Sequence, residues 1–390
     1  MIFSYSIKHL RRHFKEGLLS VTLVAVIAVL LLGLLHFLDG QAAQLEHIYD
    51  TFEITCELSN ATGTQTKDIS IGSHVADMFL DGGVLTPYAK DVHMETDQRA
   101  ILWSEGVNTI TPLPETVVEM VATNDPTGSE ALSGCRIEYA EGYSFADFGG
   151  ADALCLVPPS MEDALREGEL LLCTNSMSPV SFRVAGVLYG AENNVICASF
   201  AGYRELMHSR AQNPSPHASS LRFVIRDNRA LNEAKAAFGN YFMQTDKTVG
   251  GGEGVGLMIY DSVFIDSVTV LERSVALFRI VLVLLYLLSV ALCFFGAYLT
   301  VRGRRQEFAI MCSMGTYPFS AYVSALWEHG IFFLIGGGLG IGLAALFGYA
   351  VNGSNILHLV GFACCYLLSV CLAVAQVTAG DIVTVLKGKE

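Results

Sequence analysis

The sequence predicts an α-helical membrane protein with four transmembrane helices and an extracytoplasmic α+β domain inserted between helices 1 and 2. Its composition is apolar, with 52% hydrophobic and 16% charged residues among 390, whereas soluble globular proteins have about 25% charged residues. Long uncharged runs occur near the start of the chain and in its last third. Charge is also segregated, because residues 39–274 carry a net charge of −19 and the rest of the chain carries +5. These observations exclude a wholly soluble, disordered or nucleic-acid-binding protein.

Each predicted span is an apolar run long enough to cross a bilayer. A helix rises about 1.5 Å per residue, so about 20 residues cover the ~30 Å hydrocarbon core. The uncharged runs Gly17–Leu38 and Ile280–Val301 reach that length, and the polar turn Asn352–Asn355 divides the last apolar stretch into two. The predicted transmembrane helices are residues 17–38, 275–301, 321–350 and 356–380.

Basic residues beside the spans predict the orientation, because short cytoplasmic flanks are enriched in Lys and Arg. Such residues precede the first span and follow the second, whereas the turn Asn352–Asn355 has none. They are Lys8, Arg11, Arg12 and Lys15 on one side, and Arg302, Arg304 and Arg305 on the other. We therefore expect a multi-pass protein of the plasma or inner membrane, with residues 1–16 and 381–390 cytoplasmic and residues 39–274 outside.

A cleaved signal peptide is the alternative interpretation of the first span. The basic start, the apolar run and the small residues Gly40 and Ala42 fit a signal peptide and its cleavage site. The uncharged run is longer than the usual signal-peptide core of about 7–15 residues, which favours a retained anchor. Either interpretation leaves residues 43–270 outside the membrane.

Residues 39–274 alternate strand-like runs, rich in Val, Ile, Leu and aromatic residues, with short helical patterns. This alternation predicts an α+β domain. The predicted strands are Ala100–Trp103, Val117–Ala122, Ala153–Val157, Glu169–Cys173, Phe182–Tyr189 and Leu221–Arg226. The predicted helices are Met161–Glu167, Ala201–Ser209 and Leu231–Phe242, and Ser160 and Asp163 have the spacing of a capping box.

Apolar residues at heptad-like spacing extend both spans into the inserted domain. The two seams comprise Leu38, Ala42, Leu45, Tyr49 and Phe52, and Phe264, Val268, Leu271, Val275 and Phe278. We expect the two helical extensions to pack together as a stalk, and ordinary amphipathic surface helices are the alternative. The glycine-rich stretch 250–256 lacks the spacing of a phosphate loop, so it is interpreted as a linker or hinge.

The sequence contains no motif that indicates catalysis or metal binding. The patterns GxxxxGK[ST], GxSxG, HExxH and CxxC are all absent. Residues 39–274 contain an odd number of cysteines, which cannot all pair within one chain. Cys155, Cys173 and Cys197 lie in strand-like runs, which favours buried free thiols over a disulfide. We therefore predict a protein that is not an enzyme and holds no metal or cofactor of its own.

Two polar residues and four glycines stand out in the third span. Glu328 and His329 are interpreted either as an interfacial pair near the cytoplasmic headgroups or as functional groups, since ionisable residues in spans are costly. Gly336 and Gly340, and Gly338 and Gly342, form two interleaved GxxxG spacings, which allow another helix to approach closely. We expect Gly338→Leu to disrupt helix packing, although the spacing fits intramolecular packing and dimerisation equally.

The segment Arg302–Gly315 reads RGRRQEFAIMCSMG, and it is followed by Trp327–Gly330 (WEHG) and the glycine-rich run Gly336–Gly342. These segments resemble the membrane module of the FtsX-like permease family, the membrane subunits of MacB-type ABC transporters. The family layout is also similar, with one span, a large external domain and three further spans. In one departure, Thr316–Phe319 replaces the basic residues that usually follow the Ala/Ser-x-Gly turn.

Motifs in the inserted domain extend the resemblance to nearly the whole chain, strongest in residues 275–350 and weaker in residues 60–130. The segment Glu141–Phe145 with Asp147 is similar to the Gly-x-x-Phe entry of the family's external domain. Leu165–Gly168 and Phe182–Leu188 resemble its Leu-x-x-Gly turn and the strand that follows, and Asp381–Leu386 resembles the short cytoplasmic ending.

The resemblance implies a separate ABC ATPase subunit, which binds the ATP, and a second permease that is either identical or different. Residues 302–320 form the one sizeable predicted cytoplasmic segment, so we expect them to contact that ATPase. The expected coupling residues are Arg302, Arg304, Arg305, Glu307, Ile310, Met311, Met314 and Gly315. The charged members are expected at the headgroups, and the apolar ones, with Tyr317, at a groove on the ATPase. The alternative is an amphipathic helix that lies on the membrane surface without contacting an ATPase.

Two classes of function follow. As a permease subunit embedded in membrane lipid, the chain is expected to couple ATP hydrolysis to movement of the external domain, for export, extraction or signalling. As a membrane-anchored sensor or scaffold, it binds a ligand or wall component without an ATPase.

Overall fold

A computed structural model describes residues 14–80, 82–105, 107–110, 112–174, 178–209, 216–244, 255–315, 317–349 and 352–378. The chain divides into two compact units. The helical unit comprises Met1–His47 and Asp266–Glu390, and the sheet unit comprises Ile48–Ile265. Most of the predicted N-terminal flank, most of the glycine-rich linker and the predicted C-terminal tail lie outside the described residues.

The described residues form nine helices and thirteen strands, apart from short 3-10 turns. The helices are α1 Phe14–Thr51, α2 Ser73–Asp77, α3 Glu162–Glu167, α4 Phe200–His208, α5 Leu231–Gly239, α6 Ser262–Gly303, α7 Arg305–Ser313, α8 Pro318–Leu346 and α9 Gly353–Thr378. The strands are β1 Thr55–Asn60, β2 Ile71–Gly72, β3 Ala89–Leu102, β4 Val117–Thr123, β5 Arg136–Tyr139, β6 Leu154–Val157, β7 Glu169–Cys173, β8 Val180–Tyr189, β9 Val195–Ser199, β10 His217–Ala218, β11 Ser220–Ile225, β12 Met243–Gln244 and β13 Val255–Ile259.

Four helices, α1, α6, α8 and α9, are long and apolar enough to cross a membrane, as the sequence predicts. The 38 residues of α1 and the 42 residues of α6 correspond to roughly 57 and 63 Å at 1.5 Å per residue. Both lengths exceed the ~30 Å hydrocarbon core. Each helix therefore continues beyond its predicted span, as the apolar seams predict. The exposed side chains of α6 include Leu277, Leu284 and Leu288, an apolar surface of the kind that lipid covers.

The buried side of α1 forms the centre of the helical unit. Val24, Ile27, Ala28, Leu31 and Leu35 recur every three or four residues, so they share one face of the helix. The residues that complete this core are Cys293, Ala297, Val301, Ala325, Phe362, Tyr366, Val370, Ala373 and Val374. The core thus combines side chains from all four long helices, and the remaining apolar surface faces outward.

Only one of the two interleaved glycine pairs packs within this chain. A Cβ on Gly336 would lie 2.6 Å from the Val21 carbonyl oxygen, and one on Gly340 would lie 2.7 Å from the Ala28 Cβ. These close approaches bring α8 against α1. A Cβ on Gly338 or Gly342 would meet no described heavy atom within 4 Å. Gly338 faces away from α1, so Gly338→Leu would disrupt packing only against a partner outside the described residues, and this expectation stays a prediction.

The sheet unit is built on an eleven-stranded mixed sheet in the described part of the chain. Its strand order is β12-β13-β1-β11-β3-β4-β9-β6-β8-β5, and β7 pairs with β3 and β8. The pairs β12/β13, β4/β9 and β6/β8 are parallel and the others are antiparallel. Strands β10 and β2 form a separate two-stranded sheet. The sheet-rich architecture with short helices agrees with the predicted α+β class.

The two ends of the sheet unit are fastened side by side. Strand β1, which follows α1, pairs antiparallel with β13, which precedes α6, over Cys56–Asn60 and Val255–Ile259. The Phe264 ring lies 5.6 Å from the Tyr49 ring and 5.5 Å from the Phe52 ring. These contacts join the first turn of α6 to the end of α1, so the two seams meet here as predicted.

The segment around α5 holds both of these helix ends. The Asn228 side-chain amide donates to the carbonyl oxygens of Tyr49 at 3.0 Å and Phe52 at 2.6 Å. The last carbonyls of a helix lack partners within it, so the buried Asn228 caps the end of α1. Lys235 on α5 forms an ion pair with Asp261, the residue before α6.

All six predicted strands and all three predicted short helices of this unit are present; β7 has the predicted bounds, and the ends of the others are shifted. Strand β3 begins at Ala89, well before the predicted Ala100. The predicted capping box at Ser160 is wrong. Helix α3 has Met161 as its N-cap, without a side-chain hydrogen bond, and Ser160 Oγ instead donates to the Asn193 carbonyl oxygen at 3.4 Å. Helix α5 ends at Gly239 rather than Phe242.

The glycine contacts predict that Gly336→Leu and Gly340→Leu each destabilise the helical unit by about 1–3 kcal/mol or more, because the added side chain would overlap α1. Thermal unfolding of the purified full-length chain in detergent measures this loss. Gly338→Leu is the matched control on the same helix and should unfold near the wild-type temperature. Equal destabilisation by all three changes would contradict the close approach of α8 to α1.

The cap on α1 predicts that Asn228→Ala destabilises the sheet unit by about 1–3 kcal/mol, because two carbonyl groups lose their donor. Hydrogen exchange of the backbone amides at residues 48–56 should accelerate in this variant. Asn232→Ala, an exposed change on α5, should leave these rates unaltered. Unchanged exchange in Asn228→Ala would show that the end of α1 is held by other contacts.

Candidate functional site

The segment between α6 and α8 contains every residue that the sequence assigns to coupling. Helix α6 ends at Gly303, and α7 begins after one intervening residue, Arg304. Helix α7 ends near Gly315, whose backbone is left-handed with φ of 92°, a conformation that glycine adopts at helix ends. Pro318 then occupies the first turn of α8, where a proline costs no hydrogen bond. The result is a short helix set between two long apolar ones.

Arg304 is buried and paired with Glu328 of α8. The exposed fractions of the two residues are 6% and 3%. Arg304 Nη1 donates to Glu328 Oε2, and Arg304 Nη2 donates to Glu328 Oε1 at 3.4 Å. Arg304 Nε also donates to Glu307 Oε2 at 3.4 Å. Two-pronged arginine–carboxylate pairs are directional and strong, so this contact fixes the turn that precedes α7 against α8.

This arrangement defines the surroundings of Arg304 and Glu328. Arg304 differs from the exposed Arg302 and Arg305, because its guanidinium is directed at Glu328 inside the helical unit. Glu328 and His329 are both buried and contact different residues, Arg304 and Tyr366. Consecutive residues on a helix point about 100° apart, which explains the two directions. The interfacial and functional interpretations of Glu328 and His329 both stay predictions.

His329 connects α8 to α9. His329 Nδ1 lies 3.2 Å from the Tyr366 hydroxyl, and the imidazole packs edge-on against Phe332 at 5.7 Å between ring centroids. Phe333, one turn along α8, lies 5.1 Å from the Tyr366 ring. Glu328 thus connects α8 to the turn that precedes α7, and His329 connects α8 to α9. Both contacts are polar and buried.

Four apolar side chains around α7 stay exposed and form what we call the apolar patch: Ile310, Met314, Tyr317 and Phe319. Met314 and Tyr317 are 74% and 78% exposed. Arg302 and Arg305 are exposed at the start of the segment, and the Arg302 guanidinium lies 6.0 Å from the Tyr298 ring centroid. Met311 and Glu307 are half-buried. The patch lies on a short segment whose position is set by the Arg304–Glu328 pair.

The described cysteines of the sheet unit are all free thiols. Cys155, Cys173 and Cys197 are buried, in agreement with the interpretation as buried thiols. Burial raises the pKa of Cys56 to about 12 and also raises the pKa of Cys155 and of Cys197, so these thiols stay protonated and unreactive at neutral pH. Among the described residues, no group of His, Cys, Asp or Glu is arranged to hold a metal ion.

No protein-family model matches the chain, and no curated protein matches it. The resemblance to FtsX-like permeases therefore remains an expectation drawn from the motifs, and function has to be argued from the geometry.

The sequence did not predict the Arg304–Glu328 pair, although two signals pointed to it. Glu328 is a carboxylate within a long apolar helix, where an unpaired charge is very costly. Arg304 belongs to a basic cluster that has no other acidic residue nearby except Glu307. These signals indicate a partner in the basic cluster, but they do not distinguish Arg304 from Arg302 and Arg305.

The buried pair predicts that Arg304→Met or Glu328→Gln alone destabilises the helical unit by about 3–5 kcal/mol, because one charge is left buried without a partner. The double change Arg304→Met with Glu328→Met should recover most of that loss, since apolar side chains of similar volume replace both charges. Thermal unfolding in detergent measures all three. Arg302→Met, at an exposed position, is the control. Single changes as mild as the control would contradict a stabilising pair.

Proposed function

We propose that the chain is the permease subunit of an ABC transporter of the MacB/FtsX type, working with a separate ATPase and a second permease. The observation that carries the proposal is the apolar patch, which is exposed on α7 and the residues that follow it, between two long apolar helices and beside a buried ion pair. Apolar residues in such a position favour a protein contact, because a large exposed apolar surface is costly in water.

The proposed orientation places α7 in the cytoplasm and the sheet unit outside. The exposed Arg302 and Arg305 at the end of α6 agree with the enrichment of basic residues on the cytoplasmic side. In this orientation the apolar patch faces the compartment that contains ATP. The chain has no GxxxxGK[ST] loop, so any ATP-driven work requires a partner that binds the nucleotide.

A coupling element has to resist deformation. We propose that the Arg304–Glu328 pair provides this resistance. A force applied to the apolar patch passes to Glu328 on α8 and, through Val301 in the core, to α6. The neighbouring contact of His329 with Tyr366 extends the connection to α9. We propose that nucleotide-driven movement of the ATPase shifts these helices together and that α1 and α6 carry the movement to the sheet unit.

The second permease is proposed to pack on the free glycine face of α8. Gly336 and Gly340 are occupied by α1, whereas Gly338 and Gly342 meet no described atom of this chain within 4 Å. Interleaved small residues allow two different helices to approach one helix from different sides. Membrane lipid is the alternative occupant of this face.

This function predicts that the double change Ile310→Asp with Met314→Asp abolishes binding of the ATPase, because the patch acquires two charges. The measurement is purification of the tagged full-length chain from its native membrane, with mass spectrometry for a co-purifying subunit that carries a Walker A loop. ATP hydrolysis by the purified complex is the second readout. Met314→Leu, which keeps the patch apolar, should retain both.

Two outcomes would overturn the coupling assignment. One is retention of the Walker A subunit by the Asp double variant at the wild-type level. The other is the absence of any such subunit from the wild-type complex, which would favour the membrane-anchored sensor or scaffold. Leu113→Asp, an exposed apolar position of the sheet unit, controls for nonspecific effects of an added charge.

A further inference from the structure

The sheet unit contains a cavity of about 210 Å³ on the polar face of strands β1, β11 and β3. It is lined by Glu57, Thr66, Lys67, Asp68, His93, Glu95, Asp97, Glu130, Ala131 and Ser219–Arg222. A water molecule occupies roughly 30 Å³ of liquid, so the cavity has room for a small organic group. Part of the acidic surface of this domain is therefore concave.

Strand register explains why these side chains share one face. Arg222 on β11 lies opposite Glu57 on β1 and opposite His93 on β3, and Ser220 lies opposite Glu95. Side chains alternate between the two faces of a strand, so the intervening Leu221 and Phe223 are buried on the other side. The polar residues of three strands are therefore gathered into one surface, which the segments 66–68 and 130–131 border.

The charge of this cavity is unbalanced. Five carboxylates line it, against Lys67 and Arg222. Lys67 forms an ion pair with Glu130 in which both side chains are mostly exposed. Arg222 Nη2 donates to the Gly128 carbonyl oxygen at 2.6 Å, a neutral acceptor. Asp68 and Asp97 have no ion pair or side-chain hydrogen bond with another described residue, so these two carboxylates lack both a positive partner and a side-chain donor.

His93 and Glu95 form the buried side of the cavity. The His93 side chain is 8% exposed, and its Nε2 lies 3.3 Å from Glu95 Oε2. His93 Nδ1 makes no hydrogen bond in the described structure, and the nearest carboxylate oxygen, Asp125 Oδ2, is 3.9 Å away. Nε2 therefore holds Glu95 at the cavity wall, whereas Nδ1 is buried on the side of Asp125, which does not line the cavity.

The electrostatics agree with a cation-attracting site. Burial, together with the negative charges of Glu95, Asp68 and Glu119, raises the pKa of Asp97. Burial opposes ionisation of Glu95, but hydrogen bonds from His93 and Ser129 outweigh it and lower the pKa of that carboxyl. Glu95 is therefore ionised at neutral pH, and Asp97 lies in a negative potential that a bound cation would relieve.

We propose that this cavity binds a small organic cation, an alkylammonium or guanidinium group, with Asp97 and Asp68 as its acceptors. An organic cation fits better than a metal ion, because the described residues contain no cluster with metal-ligand geometry. Carboxylates accept charge-assisted hydrogen bonds from ammonium and guanidinium groups. The ligand's alkyl part would lie along Ala131.

The test uses the full-length chain in lipid nanodiscs with 1,4-diaminobutane as the probe, measured by isothermal titration calorimetry. 1,4-Butanediol has the same length without charge, and it should bind at least about tenfold more weakly if charge-assisted hydrogen bonds dominate. Asp97→Asn and Asp68→Asn should each weaken diamine binding about tenfold by the same reasoning. Asn suits position 68, where φ is 53°, because asparagine tolerates left-handed backbone.

Asp163→Asn, at an exposed carboxylate of α3 that does not line the cavity, should bind the diamine like the wild type. Thermal unfolding of each variant confirms that it is folded. The proposal is overturned if the wild type does not bind the diamine at millimolar concentration, if the diol binds equally well, or if both Asn variants bind the diamine unchanged. These outcomes are independent of whether an ATPase co-purifies.

Discussion

A domain inserted between two long apolar helices must have its first and last residues close together. Most of the sheet unit's architecture follows from this constraint. The unit meets it by pairing its first strand with its last, β1 with β13. Phe264 then packs on Tyr49 and Phe52, and Asn228 caps the end of α1. Backbone pairing, aromatic packing and helix capping thus together hold the two ends of the unit side by side.

The helical unit meets a different constraint, since charge within an apolar layer is tolerated only when it is paired. The Arg304–Glu328 contact is costly to form, because both groups lose water, and costly to break, because either partner alone is then buried. Such a pair contributes little net stability but strongly favours one geometry. This property suits a segment that displays Met314 and Tyr317 in a defined position, and it explains why a carboxylate is retained in α8.

Whether the sequence alone predicts a feature of the fold or of the site depends on how far apart in the chain the interacting residues lie. The four long apolar helices and the strand Glu169–Cys173 were predicted correctly, because hydropathy and strand propensity act over neighbouring residues. The partner of Glu328 was not, since Arg304 reaches it only after the chain reverses through α7. The roles of Gly336 and Gly338 differ only because α1 lies on one side of α8. The acidic cavity combines Glu57 with residues of β3 and β11, which are distant in sequence.

The cavity and the helix ends share one residue, which gives the sheet unit a physical route between them. Glu57 lines the cavity and accepts a hydrogen bond at 3.1 Å from the hydroxyl of Tyr260, two residues before α6 begins. The proposed cation would weaken this hydrogen bond only by drawing on the charge of Glu57. Hydrogen bonds to charged groups contribute about 1.5–3 kcal/mol, which is the upper limit of the coupling between the ligand and Tyr260. Because linkage is reciprocal, a change that breaks the Tyr260 hydrogen bond would alter the affinity for the cation by the same factor.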